Sequence, residues 1–292
     1  MTNFKRATLL LVFFFVSHAS ALAQDAMDAA RKLEAEKKGI GWRVRHIVSE
    51  SKVRYDAEGK LVGKVRPGRW TLNSIVEVQS IELKDGILKI KGNWFLLNYS
   101  RAIHRFRPVR TSEGVEIQIQ TKPAPNGDVN IQREWNKAFL TVDESYPEGI
   151  QQYWKPFLGC VVTPDTDECR YSEKKSWEPD VYNVNAVSSW KPAYPDVYEL
   201  GGDVTPPKAR SKVEPVYTQV ARNAGVEGTV LLHAIITKEG KTRIMRIVRP
   251  VGYGLEESAA EALSRWTFQP ATLMGQPVNV SLSIEVNFNV KN

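Results

Sequence analysis

The side chains that could do chemistry in this 292-residue sequence are two cysteines, four histidines and a few adjacent acids. Cys160 and Cys169 enclose Val161–Glu168, which holds Pro164 and three acids. An even pair closing a short loop is the pattern of a disulfide in an oxidising compartment, with two free thiols as the alternative. A metal site there lacks a nearby histidine. His18 lies in the apolar leader, His46, His104 and His233 in strand-like runs, and none stands at ligand spacing from another His, Cys or carboxylate. Each reads as a surface or hydrogen-bonded structural histidine. Glu256 and Glu257 are neighbours on a patterned helix, where adjacent side chains diverge and cannot flank one substrate bond. There is no Gly-x-Ser-x-Gly elbow, phosphate-cradling glycine loop or His-Glu-x-x-His. No catalytic residue, metal or cofactor is assigned, and the chain is expected to act by binding and not as an enzyme.

The chain is long enough for about two domains with real cores. Lys5 and Arg6 precede the apolar run Ala7–Val16, and Ala21-Leu22-Ala23 supplies a small-x-small cleavage pattern. A cleavable signal peptide over residues 1–23 and a periplasmic location are expected. The alternative is an inner-membrane anchor through residues 7–23, although a spanning helix needs about 20 apolar residues and Ser17 and His18 interrupt this run. The formal charge is +7, and the basic residues are scattered without a dense block. Mild attraction to anionic surfaces follows, but no nucleic-acid partner.

Residues 24–40, rich in Ala, Lys, Glu and Leu, read as a short exposed helix or a frayed end. From 41 to 164 the pattern is strand and turn. Trp42–Val48, Ile75–Leu83, Ile87–Lys91, Trp94–Tyr99 and Val115–Gln120 are separated by Ala57-Glu58-Gly59, Asp85-Gly86 and Asn126-Gly127. This predicts a mainly β N-terminal domain, an antiparallel sandwich or open barrel. Seven of the eight tryptophans precede residue 200. They are read as core residues, with a sugar- or peptide-stacking face as the other possibility. Residues 165–202, punctuated by Pro179, Pro192 and Pro195, read as an irregular connector.

The segment 203–292 is the most regular. Pro215 and the Val216/Val220 spacing, with Gly225 at the C-cap position, predict a short helix. Gly228–Ile236 and Arg243–Val248 flank Lys238-Glu239-Gly240-Lys241 as a hairpin. Leu255, Ala259, Ala262, Leu263 and Trp266 form one helical stripe, placing Glu256, Glu257, Glu261 and Arg265 on the solvated face. Val278, Val280, Leu282, Ile284, Val286, Phe288 and Val290 alternate strictly with polar residues in a last strand. The prediction is an α+β domain, a three-stranded antiparallel sheet with two helices, and a sheet that small leaves an edge exposed.

Over about Asp203–Asn292 the sequence resembles the C-terminal domain of TonB energy transducers. The resemblance rests on Tyr217 near Ala221-Arg222, Gly225-x-x-Gly228-x-Val230, Gly240, Gly252-x-Gly254-Leu255, Ala259 through Ala262, and Trp266-x-Phe268-x-Pro270-Ala271, in family order. The family's Tyr-Pro is Tyr217-Thr218 here. The resemblance implies pairing by strand addition with an extended segment of an outer-membrane transporter or other envelope protein. It places the partner-binding edge on the last strand, at Asn279, Ser281, Ser283, Glu285 and Asn287. Family transducers resemble a tether with a retained anchor and a long Pro-rich spacer. Here the stretch from Lys191 to Pro215 spans at most about 85 Å. A structural envelope or peptidoglycan-binding protein without energy input is therefore the alternative. A hydrolase or lectin-like activity in the β-rich half ranks below it. The residues leave the oligomeric state open.

Overall fold

The computed structural model describes residues 22–102, 105–141, 144, 147, 150–157 and 196–289. Nearly all of the leader, His104, Cys160, Cys169, Trp177 and Trp190 lie outside these. The disulfide expectation therefore falls on residues that are not described. In chain order the elements are α1 (22–37), β1 (Gly41–Arg43), β2 (Lys52–Tyr55), α2 (Trp70–Asn73), β3 (Ile75–Lys84), β4 (Ile87–Ser100), β5 (Arg105–Gln120) and α3 (Ile131–Trp135). A 3-10 helix over Gln152–Phe157 follows. Then come β6 (Val197–Glu199), β7 (Val204–Thr205), β8 (Lys208–Ser211), α4 (Gln219–Asn223), β9 (Gly228–Ile236), β10 (Thr242–Arg249), α5 (Leu255–Ser264), β11 (Thr267–Gln269), β12 (Ala271–Leu273) and β13 (Gln276–Phe288). No described helix is long and apolar enough to cross a membrane. By its contacts the chain divides into two units. One comprises Met1–Gly68, Asn73–Phe95 and Arg110–Glu148; the other comprises Arg69–Leu72, Leu96–Val109 and Gly149–Asn292.

The first unit is built on a single five-stranded sheet, in the order β1-β3-β4-β5-β2. Asp85 and Gly86 both take positive φ, 51° and 73°, and turn β3 into β4 as the dipeptide requires. The runs expected as two strands, Ile87–Lys91 and Trp94–Tyr99, are one strand, because Gly92 stays paired with Val78, beside a bulge at Gln79 of β3, and does not break the ladder. A Cβ on Gly92 would lie 2.2 Å from the Glu77 carbonyl oxygen, so only glycine allows that approach. β2 pairs with β5 in parallel, Lys52 opposite Glu116 through Tyr55 opposite Ile119, so the sheet is mixed.

The sandwich-or-barrel expectation is corrected here: the layer that buries this sheet is helical. Ala26, Ala30 and Leu33 of α1 are buried at i, i+4 and i+7, so the segment expected to be exposed or frayed carries an apolar stripe. Ala30 and Leu33, with Ile131 and Trp135 of α3, share one core with Val76, Leu88, Ile90, Ile117 and Ile119 of the sheet. Asn126-Gly127 is a turn, but it leads into α3 and not into a paired strand. Asn130 caps that helix by accepting the Arg133 N–H at 2.9 Å. Glu134 of α3 is fully buried, held by Arg133 at 2.8 Å and by Lys137.

The second unit contains a six-stranded sheet in the order β10-β9-β13-β12-β7, with β6 also on β13, and the small pair β11-β8. The three strands expected from sequence are β10, β9 and β13, which run in from one end of this order, and β12, β7 and β6 make the sheet larger than the three strands expected. β9 and β13 pair over nine consecutive positions, from Ile236 opposite Val280 to Gly228 opposite Phe288. Val230, Leu232, Ala234 and Ile236 alternate onto one fully buried face. α5 packs against β9 and β10 with Leu255, Ala259, Ala262 and Leu263 buried. Gly252, at φ 99°, bridges to Asn98, and a Cβ there would meet the Leu97 carbonyl oxygen at 2.6 Å.

Candidate functional site

β13 has two sides. One is taken by β9 from Val280 to Phe288. On the other, β12 pairs with Gln276–Val278 and β6 pairs in parallel with Asn279–Ser281. Among the described residues no strand pairs with 282–288 on that side. An open edge of roughly 20 Å remains, at the ordinary rise of about 3.3 Å per strand residue. Consecutive residues aim their N–H and C=O groups to opposite sides, so about half of this stretch offers backbone groups outward.

Each residue predicted for the site lies on β13, and their side chains share one face. Asn279 accepts the Lys238 N–H at 2.9 Å and donates to the Asp196 carbonyl at 3.3 Å. Ser281 is buried and pairs opposite Glu199, departing from the expected exposed alternation. Ser283 lies 3.5 Å from His233 Nδ1, Glu285 is 3.9 Å from Arg249, and Asn287 accepts the Thr229 hydroxyl at 2.6 Å. These side chains tie β13 to its neighbours within the sheet. What the stretch can offer a partner is backbone. Val280, Val286 and Phe288 are buried on the opposite face as predicted, while Leu282 and Ile284 are only half-buried.

His233 sits between Ser283 and Arg246 in register. Burial, and then the Arg246 charge, push its pKa down to about 4, so the ring is neutral at physiological pH. It is a structural histidine of the sheet. In the first unit a shallow depression is lined by Arg45, His46, Glu58, Lys60, Leu61 and Lys137. Arg45 there is engaged by Glu144 and Lys137 by Glu134. No group of three or more metal-ligating side chains occurs among the described residues.

The acids of α5 are where the expectation from sequence fails. Glu261 and Arg265 are exposed as predicted, but Glu256 and Glu257 are buried. Glu256 accepts the Val251 and Gly252 N–H groups, organising the turn ahead of a helix whose N-cap, Gly254, supplies no side-chain cap. Glu257 accepts the Trp70 backbone N–H at 2.8 Å and the Trp154 indole N–H at 3.0 Å. Trp154 joins Trp70 and Phe106 in an aromatic cluster with centroids 4.6–5.9 Å apart. Arg69 donates to the Gly254 carbonyl, the Ser258 hydroxyl and Glu261. Periodicity on α5 could not reveal this, because the covering residues come from 69–72 and from Tyr153 and Trp154.

Trp70, Trp94, Trp135 and Trp154 are all buried, as the core reading of the tryptophans expects. β6 is the feature of the edge that sequence reasoning missed. It lies inside the predicted connector, and three residues of Val-Tyr-Glu are too short for a strand period to register.

Residues 213–290 match the family described as Gram-negative bacterial TonB protein C-terminal. Protein TonB of Vibrio cholerae serotype O1 is 31% identical over 87 residues, which is 30% of this chain and 36% of that protein. The chain thus spans about a third of the length of this curated relative. The solution NMR structure of the Pseudomonas aeruginosa TonB CTD matches at 18% identity, covering 32% of this chain and 97% of that chain with a TM-score of 0.23. The short helix, hairpin, second helix and last strand all lie within the matched residues, and this C-terminal part of the chain is similar to the TonB C-terminal family.

Proposed function

We propose that this is a Gram-negative envelope protein, exported to the periplasm, whose TonB-type domain works by binding and not by catalysis. An extended segment of an outer-membrane transporter, or of another envelope protein, adds as a strand along residues 282–288. The open side of β13, backed by the unbroken β9–β13 ladder, carries the reading. Affinity comes from backbone pairing, and side chains alternating along the incoming strand set specificity. Through the family this pairing serves energy-dependent transport. A purely structural envelope role, including peptidoglycan binding, is the competing use of the same domain.

Ser283→Pro and Ile284→Pro test it as a pair. N–H groups of neighbouring strand residues point to opposite sides, so one substitution removes an outward donor and the other a donor to β9. The outward variant should keep its fold and lose at least tenfold in affinity for peptides from the N-terminal segments of outer-membrane transporters. The inward variant should be destabilised by about 3 kcal/mol. Peptide binding that survives unchanged in the folded variant overturns strand addition. Retention on murein by both parent and variant would favour the structural role.

A further inference from the structure

We infer that β6 is a displaceable internal occupant of the β13 edge, covering Asn279–Ser281 until an incoming strand replaces it. This rests on the strand-addition reading and deepens it, by making part of the site self-occupied.

β6 has only three residues and pairs in parallel, Val197 opposite Asn279 through Glu199 opposite Ser281. Parallel pairing is the weaker of the two ladder types. Little apolar surface holds the segment down: Tyr198 is 41% and Leu200 42% exposed. One of its ends is conformationally costly: Asp196, a non-glycine residue, sits at φ 71° just before it, while Gly201 and Gly202 turn the chain away after it at φ 137° and 56°. One side-chain bond ties it from below, Asn279 Nδ2 donating to the Asp196 carbonyl. The few ladder bonds that three residues can make are comparable with the entropy lost in ordering the segment, so bound and released states lie close in free energy.

Release has a defined consequence. The open edge lengthens from 282–288 to 279–288, and buried Ser281 comes to the surface. An incoming strand that reaches Asn279 therefore competes with β6, whereas one confined to 282–288 does not.

The test uses the full chain with Tyr198→Pro and Glu199→Pro together, since one of two neighbouring N–H groups must serve β13. Hydrogen exchange of Asn279–Ser281 should rise at least tenfold while β9 stays protected. A labelled synthetic peptide of residues 194–202, which carries β6, should bind the variant at least tenfold tighter than the parent. Replacing Val197–Glu199 with Gly-Ser-Gly gives a second variant with the same expectation should the prolines impair folding. Exchange unchanged at Asn279–Ser281, or increased throughout β9, or equal peptide affinity for parent and variants overturns the inference. The probe is β6 itself, so the outcome is independent of transporter peptides. Their failure in the Ser283/Ile284 test would sink the functional reading and the incoming strand with it, whereas failure of the exchange and β6-peptide measurements would sink the release of β6 alone.

Discussion

Glu134 of the first unit and Glu257 of the second are both buried carboxylates on helices, and the chain solves the same desolvation problem in two ways. Glu134 is matched by charge, with Arg133 on one oxygen and Lys137 on the other. Glu257 is matched by neutral donors, the Trp70 amide and the Trp154 indole on one oxygen, with Oε2 unpartnered among the described residues. Its neighbour Glu256 likewise finds no partner for Oε2 among the described residues. Around Glu257 the Trp70 N–H favours the ion, but burial and the like-charged Glu256 outweigh it and push the carboxyl toward its neutral form. Burial first, and the Glu256 charge second, raise Glu257 from 4.5 to about 7; burial also raises Glu256. The same surroundings push Tyr153 up, through burial and then the Glu257 charge.

The strongest way to break this contrast is Lys137→Met, which strands Glu134 with one half-exposed partner. It should cost about 3 kcal/mol, read as faster hydrogen exchange across α3 and β5. A cost below about 1 kcal/mol would mean that Glu134 does not depend on its cations.

Glu257→Gln keeps an acceptor for both donors and removes the charge. Because the folded pKa is raised, the native state holds its proton where the unfolded chain has lost it. Stability is then highest near pH 4.5 and declines as pH rises through about 7. The variant should therefore gain on the order of 2 kcal/mol at pH 8 and little at pH 4.5, measured by urea unfolding with tryptophan fluorescence. Destabilisation at both pH values would place Glu257 in the same class as Glu134.

The smallest effect sharpens the comparison from the other side. Glu144 accepts Arg45 at 2.6 and 2.8 Å and the Thr141 N–H at 2.8 Å, holding its pKa down at about 2, with Arg45 the leading cause. Its contribution is present above pH 4.5 and lost as pH falls toward 2, the reverse of Glu257. Its side chain is 38% exposed, so Glu144→Ala should cost only about 1 kcal/mol at pH 7 and nothing at pH 2. Acid unfolding of the first unit in the variant measures it.

The same contrast marks what the sequence made legible. Local chemistry was readable: Asp85-Gly86 announced its hairpin, and the alternation of Val280, Val286 and Phe288 announced the buried face of β13. Long-range cover was not. A helical wheel puts Glu256 and Glu257 outside because it cannot see residues 69–72 and Trp154 arriving on that side. The parallel docking of β2 onto β5 and of β6 onto β13 leaves no periodic trace, since each is three or four residues long. The spacing of Ala26, Ala30 and Leu33 was present to be read, but small residues weaken an apolar stripe.

The β9–β13 register also carries a mechanical consequence. When a strand is pulled along its own axis, every rung of its ladder shares the load; when it is peeled from one end, the rungs fail in turn. A partner strand lying beside residues 282–288 and drawn along β13 would load its junction in shear, and the nine-position ladder behind it would take the same force in the same manner. β6, three rungs held at turned ends, is the part of this assembly that yields first under tension.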